Sequence, residues 1–401
     1  MTYLFQDDPN TDAFGRLRVS APLTLFDSNH RYADNGLWAT STATGGAATF
    51  NANEGVVDLS VTTSSGSQVL RETIKVFAYQ PGKSLLVMQT FAMAPAAANL
   101  VQRVGYFGSA NGVYLELDGN TLYFVKRSSV SGILSETHIP QSSWNYDVFD
   151  GNGASGIVLD ISKAQIMFMD MEWLGVGSVR LGFIIDGKFY LAHTFHHANM
   201  VTTTYITTAC LPLRYEIFTT GATIQNSNLK QICSTVISEG GYELRGMQQA
   251  ISTPVTGPYT LTTAQTYYPV ISLRLKSARL DAIVILTALS ILPTSPGNYH
   301  WRLSAGGTTT NGTWTSAGAD SSVEYNITGS SFSGGRILSA GFVSATNQAS
   351  TQIDILKEAL FKFQMERNSF TSTPYELTLN IASDGAADTV LGNLDWEEVS
   401  R

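Results

Sequence analysis

Cysteine is nearly absent: the 401 residues hold two, Cys210 and Cys233. That excludes a disulfide framework and a four-cysteine metal site; two buried thiols or one bridge stay open. Charge is also scarce, at 14% of residues against a typical ~25%. The 24 Lys and Arg face 32 Asp and Glu, for a net charge of -8. A chain with so few cations lacks the clustered Lys and Arg that phosphate contacts require, so nucleic acid is not an expected partner. Disorder is excluded as well, because 43% of the residues are hydrophobic. Long apolar runs are missing: the longest, Leu280 to Leu292, is broken by Asp281, Thr287 and Ser290. It is shorter than the ~20 residues that span a bilayer, and no membrane insertion is expected. The first residues, MTYLFQDDPNTDAFGRLR, lack a basic stretch followed by an apolar core, so a product made in a cytoplasm is expected.

What is present is glycine (35 residues), aromatics (10%) and short β-forming runs. GVYLELDGNTLYFVKRS, residues 112–128, alternates on both sides of Asp118-Gly119-Asn120. Residues 179–195, VRLGFIIDGKFYLAHTF, repeat the device around Asp186-Gly187. A turn containing Asp-Gly supplies the positive φ that matches strand twist, and two in alternating contexts point to antiparallel hairpins. The first 45 residues carry Pro9, Pro22 and little periodicity; they read as an extended arm, or alternatively as an ordinary strand and loop. A Thr/Pro/Gly-rich stretch, residues 251–266, marks a boundary, and new strand-like runs follow it. Residues 304–322 read as a long surface loop, and only 352–360 suit a short helix. The expected architecture is all-β. An N-terminal arm (1–45) precedes two antiparallel, jelly-roll-like β-sandwiches, a lectin-like one (46–248) and a second (249–401).

Three constellations carry possible chemistry. His193, His196 and His197 cluster in one strand-like run, but they diverge along a strand and no HExxH spacing is present, so no metal is expected. Asp147, Asp150 and Asn152 sit in a Gly-rich loop without the terminal Glu of an EF-hand; self-capping of the loop backbone is the plainer account. Asp170 and Glu172 are two apart and share a strand face near Trp173, the disposition a carboxylate pair for glycoside cleavage would need. No nucleophile elbow, phosphate loop or dinucleotide fingerprint occurs, so neither an enzyme nor a cofactor is expected. Trp144, Tyr146 and Trp173 lie near Gly-rich loops and suit either core packing or a glycan-stacking face.

The run Asp12-Ala13-Phe14-Gly15-Arg16-Leu17-Arg18-Val19-Ser20, followed by Pro22-Leu23-Thr24-Leu25-Phe26-Asp27, resembles the N-terminal segment of tailed-bacteriophage virion structural proteins, cyanophage proteins included. GYFGSANGVYLELDG (105–119), MEWLGVGSVRLGF (171–183), LPLRYEI (211–217) and FQMERNSFTSTPYELTL (363–379) are similar to the same group. The resemblance implies a tail, baseplate, fibre or capsid-surface component, assembled with other virion proteins in the infected cell. A homo-oligomer is then expected, a trimer being favoured. In that setting Phe14, Leu17, Val19, Leu23, Leu25 and Phe26 would pack in a groove while Arg16 and Arg18 pair with acids. The groove would belong to a neighbouring subunit or to the chain's own first domain. Host-surface glycan recognition through residues 105–200 is the alternative role.

Overall fold

The computed structural model describes residues 21–79, 81–240, 246–345, 351–354 and 364–400. Two compact units emerge, the first from the described residues up to 73 and from 77 to 240, the second from 74–76 and from 246 onward.

Unit 1 runs β1 (Pro22–Ser28), β2 (Trp38–Ala43), β3 (Ala47–Asn51), β4 (Val56–Val61), β5 (Gln68–Thr73), β6 (Ser84–Ala92), β7 (Leu100–Phe107) and β8 (Gly112–Asp118). It continues through β9 (Thr121–Ser128), β10 (Ser135–Pro140), β11 (Gln165–Met171), β12 (Val179–Ile185), β13 (Lys188–Phe195), β14 (Leu213–Thr219) and β15 (Ser227–Glu239). An eight-stranded sheet has the order β13-β12-β11-β6-β15-β4-β3, with β1 also on β15; a seven-stranded sheet has the order β10-β9-β8-β7-β14-β5-β2. Pairing is antiparallel in both. Alternate residues of each strand, such as Leu85, Val87 and Phe91 of β6 and Val113, Leu115 and Leu117 of β8, fill one continuous core between the sheets.

Both hairpins read from the sequence form. In β12–β13, Asp186 and Gly187 both take positive φ (50° and 75°) between the paired Ile185 and Lys188, the geometry of a type I′ turn. In β8–β9 the turn sits one residue later than Asp118-Gly119 suggests. Asp118 pairs with Thr121, and Gly119 carries the positive φ.

Unit 2 contains β16 (Met247–Ser252), β17 (Tyr259–Leu261), β18 (Tyr268–Leu275), β19 (Ile283–Pro293), β20 (Asn298–Thr310) and β21 (Thr315–Ser316). It ends with β22 (Val323–Asn326), β23 (Ser331–Ser344), β24 (Thr351–Asp354), β25 (Glu376–Ser383) and β26 (Asp388–Ser400). One sheet orders β16-β26-β19-β24, with β17 also on β26; the other orders β21-β22-β18-β25-β20-β23. Leu273, Leu286, Trp301, Leu379 and Trp396 are buried in its core.

Several expectations are corrected. The described part of the supposed arm belongs to unit 1. Residues Pro22–Ser28 pair with β15, Phe26 is buried against Trp38 and Phe77, Leu25 packs on the core, and Leu23 is half-buried. Phe14, Arg16, Leu17, Arg18 and Val19 lie outside the described residues. The stretch 251–266 is no free linker, because Ile251 and Ser252 and then Tyr259–Leu261 pair with β26. The Gly/Thr-rich start of the expected 304–322 loop is strand: β20 runs to Thr310 against β23, with β25 on its other side as far as Gly307. Of the suggested helix, Thr351–Asp354 is β24, and the rest lies outside the described residues.

Candidate functional site

The three aromatics do not converge. Trp144 is 4% exposed and packed in the unit 1 core against Phe124, with ring centroids 4.4 Å apart, so it presents no face to a sugar. Trp173 is half-buried edge-on to Tyr79, and Tyr146 is 53% exposed. Of the two roles left open for Trp144, it takes core packing, because Phe124, Phe149 and Phe183 surround it with aromatic surface.

The histidines also part. His193 accepts from the backbone N–H of Asn145, whereas His197 Nδ1 lies 2.7 Å from the Gly177 carbonyl, an acceptor, so Nδ1 carries that proton. Burial pushes both imidazoles down to about 4. In the 147–156 loop the Asp147 carboxylate accepts from the N–H groups of Phe149 and Ser155, at 2.8 and 2.7 Å. Burial opposes its ionisation, but these bonds outweigh burial and hold it below the usual carboxylate range. Asp150 turns to Asn152. Among the described residues no three His, Cys, Asp or Glu side chains gather to hold a metal ion.

The densest polar arrangement lies elsewhere, on the outer face of the seven-stranded sheet. Many residues pointing away from the core there are charged or aromatic, and strand register sets them in rows. One row reads Glu216 (β14), Arg103 (β7), Glu116 (β8) and Tyr123 (β9) as successive cross-strand partners. The next reads Glu72 (β5), Arg214 (β14), Gly105 (β7), Tyr114 (β8), Val125 (β9) and His138 (β10). A third pairs Arg127 (β9) with Glu136 (β10).

Register thus places opposite charges side by side, and they bond. Arg103 Nε donates to Glu116 at 2.6 Å and Nη1 to Glu216 at 3.2 Å. The second oxygen of Glu116 meets His138 Nε2 at 3.0 Å. Arg127 Nε and the Tyr114 hydroxyl both donate to Glu136, at 2.7 and 2.8 Å. Arg214 Nε donates to Glu72 at 2.7 Å. The guanidinium of Arg103 lies over the rings of Tyr114 and Phe218, and those of Arg127 and Arg214 over Phe107. Glu116 is 2% exposed, yet it faces away from the hydrophobic core; neighbouring planar groups cover it. Burial alone would raise the Glu136 carboxyl, but the bonds from Tyr114 and Arg127 reverse that and hold it low. These bonds and ring contacts fix the orientation of the charged groups on this face. Tyr123, His138, Arg103 and Phe218 form the more accessible part of this face.

The single-residue signal for this network is in the sequence: charges interrupt otherwise apolar strands at Arg103, Glu116, Arg127, Arg214 and Glu216. Their convergence is not, because Arg103 and Glu216 are 113 positions apart.

The outer face of the eight-stranded sheet carries the other carboxylates considered. Asp170 is ion-paired with Arg180. Burial pushes its carboxyl upward, with Arg180 opposing and Glu239 and Glu172 adding to the rise. The carboxylate of Glu172 accepts from the N–H of Ser178 at 3.5 Å.

No protein-family model and no curated protein matches the chain. Solved structures do show similarity over about half of it. A β-glucanase of Bacillus licheniformis matches with a TM-score of 0.36 and 13% identity, over 53% of this chain and 96% of its own. The carbohydrate esterase of the Shiga toxin-encoding bacteriophage phi24B matches with 0.35 and 15%, over 55% and 100%. The carbohydrate recognition domain of Emp47p matches with 0.35 and 11%, over 58% and 100%. The expectation that this chain is not an enzyme is corrected on this finding: glucanases and an esterase stand among the similar structures, so the lack of a catalytic sequence motif excludes nothing. Among the described residues no helix is long and apolar enough to cross a membrane.

Proposed function

We propose that unit 1 recognises carbohydrate on the outer face of its seven-stranded sheet. The observation that carries this reading is the row Glu216–Arg103–Glu116, flanked by the rings of Tyr123 and Phe218 and by His138. Sugars present paired hydroxyls and an apolar C–H face. Planar carboxylates and guanidinia held in register match the hydroxyls, and aromatic rings match the C–H face. Arg103 is the central group, because its charge is balanced by Glu116 and Glu216 and its plane is set by Tyr114 and Phe218.

The test is a glycan array followed by calorimetry on the full chain. Tyr123→Ala, His138→Ala and Phe218→Ala are each expected to weaken binding about tenfold or more, with the unfolding midpoint preserved. A folded protein that binds no glycan at millimolar concentration, or binds one equally well in all three variants, would remove this reading.

The Asp12–Asp27 motif supports placing this module in a tailed-phage particle, alongside other virion proteins, in a chain made in the infected bacterium. A homo-oligomer, a trimer first, is the assembly form proposed for it. Light scattering of the purified full chain measures this directly, and a monomer at all concentrations would count against it.

A further inference from the structure

The six-stranded sheet of unit 2 carries a cluster of planar side chains on its outer face. Tyr299, Trp301 and Leu303 of β20 turn into the core, so His300 and Arg302 between them turn outward. The row through His300 reads Ala382 (β25), His300 and Phe342 (β23); the next reads Asn380, Arg302 and Ala340. Gly341 lets β23 lie this close to β20, because a Cβ there would stand 2.8 Å from Trp301 Nε1. Tyr267, just before β18, comes from the far side of β25. The small Ala382 on β25 leaves the space across which the Tyr267 ring reaches His300 and Arg302.

Stacking holds these groups in place. Phe342 lies nearly flat on the His300 imidazole, with centroids 4.5 Å apart and planes at 15°. It is 81% exposed, so the other face of its ring is open to water. The Tyr267 hydroxyl and His300 Nδ1 are hydrogen-bonded, and the Arg302 guanidinium lies 3.9 Å over the Tyr267 ring. Burial and the Arg302 charge together push the His300 imidazole down, so positive charge dominates here.

Register leaves Arg302 without a counter-ion. Its cross-strand partners are Asn380 and Ala340, and no carboxylate among the described residues bonds to it. Arg274 of the same sheet makes the contrast. It too lies over an aromatic ring, that of Trp314 at 4.0 Å, but it donates to Glu324 at 2.6 Å. Arg367 donates to Asp281, and Asp384, at the Asn298 end of β20, accepts from the Asn298 amide. Arg302 is thus a half-buried guanidinium held flat on a ring, in a chain of net charge -8, with its fork of donors claimed by no acid. Such a fork matches a carboxylate, which takes two of its N–H groups at once.

We propose that Arg302 and Phe342 form a binding site for an acidic saccharide, the sugar carboxylate on the Arg302 guanidinium and the sugar C–H face on the open side of the Phe342 ring. Side chains two apart on a strand stand ~7 Å from each other, and adjacent strands ~5 Å. A single sugar ring bearing its carboxyl group spans that distance. Tyr267 and His300 act as supports, one under the guanidinium and one under the phenyl ring. An acidic peptide would engage Arg302 and leave Phe342 idle, so the open ring favours a sugar. The site lies wholly in unit 2 and does not depend on what the seven-stranded sheet of unit 1 binds.

The test is calorimetric titration of the full chain with trigalacturonate and with 3′-sialyllactose, two sources of a sugar carboxylate. The methyl ester of trigalacturonate and lactose are the neutral controls. At least one acid is expected to bind about tenfold or more tighter than its neutral counterpart. Arg302→Gln and Phe342→Ala are each expected to weaken that binding about tenfold, with the unfolding midpoint preserved. Arg302→Lys keeps the charge but loses the fork, and a severalfold loss is expected. Tyr123→Ala, on the unit 1 face, is expected to leave the binding unchanged; its loss there would move the acid to unit 1 and overturn the proposal. No binding of either acid at millimolar concentration would overturn it, as would equal binding of acid and neutral forms or unchanged binding in Arg302→Gln. So would a hexaglutamate peptide that binds as tightly as the sugars and is indifferent to Phe342→Ala, since the site would then read charge alone.

Discussion

Arg71 of β5 and Gln231 of β15 meet across the interior of unit 1: the buried guanidinium, 2% exposed, donates from Nε to Gln231 Oε1 at 2.6 Å. The two strands belong to different sheets, so one hydrogen bond ties the layers together. The other guanidinium nitrogens reach Thr40 at 2.8 Å and Asp34 at 2.5 Å. A buried cation so divided has no substitute partner. Arg71→Ala is expected to destabilise unit 1 by ~3–5 kcal/mol, because Gln231 and Asp34 lose their donor and a cavity remains. Arg71→Met with Gln231→Leu, which removes both polar ends, is expected to cost clearly less. Urea unfolding followed by tryptophan fluorescence compares them; equal losses in the two variants would show that the bond itself is unimportant.

Gly105 is the gap in the second row of the polar face. A Cβ there would stand 2.5 Å from Tyr114 Cα and Cβ and from the Val113 carbonyl. These are largely backbone contacts that cannot rotate away. Gly105→Ala is therefore expected to force β7 and β8 apart, at ~1–3 kcal/mol or more, and to loosen Tyr114 from Glu136. Amide hydrogen exchange at Tyr114 and Leu115 reads the effect, and unchanged protection would refute it.

Acid is expected to weaken unit 1. The native chain keeps His193 and His197 neutral, pushed from 6.5 to about 4 chiefly by burial, and burial beside Arg71 pushes His30 down as well. Unfolded imidazoles take a proton near 6.5, so between there and about 4 the unfolded chain binds more protons. Stability is thus full above about 6.5 and falls as the pH drops toward 4, with ~2 protons taken up on unfolding from His193 and His197. Unfolding midpoints from pH 7 to 4 measure the slope, and His197→Gln is expected to reduce it. A flat profile would contradict the burial assignment.

Neither cysteine is in a disulfide: Cys210 is buried and Cys233 exposed. One equivalent of thiol is expected to react with a disulfide reagent in the native protein and two after unfolding. A native titre of zero with none gained on denaturation would instead mean a bridge.

What the sequence shows on its own follows the range of the interaction. The hairpins at Asp118-Gly119 and Asp186-Gly187 are local, and alternation around each turn predicts them. The sandwich class follows from many such short runs. Phe26 and Leu25 look like part of an arm because their partners lie about 210 positions away: Thr235 donates to the Phe26 carbonyl from across β15. Composition misleads at residues 305–310, AGGTTT, where glycine and threonine suggest a loop but β23 pairs the run to Thr310 and β25 pairs it as far as Gly307. Trp144 reads in the sequence as either a core aromatic or a stacking face, and the choice rests on Phe183, which comes from another strand. The polar rows depend on register among six strands, which single-chain patterning does not fix.

The β1–β15 ladder has a mechanical consequence. Its six partnered positions, Pro22 to Ser28 against Glu239 to Ser234, lie side by side along one strand axis. A tension applied at Pro22 along that axis loads all six in shear at once, instead of peeling them singly. Phe26, wedged between Trp38 and Phe77, acts as a peg that must be drawn from the core before the ladder can slip. A molecule tethered by its leading end would therefore pass force into the sandwich with little give.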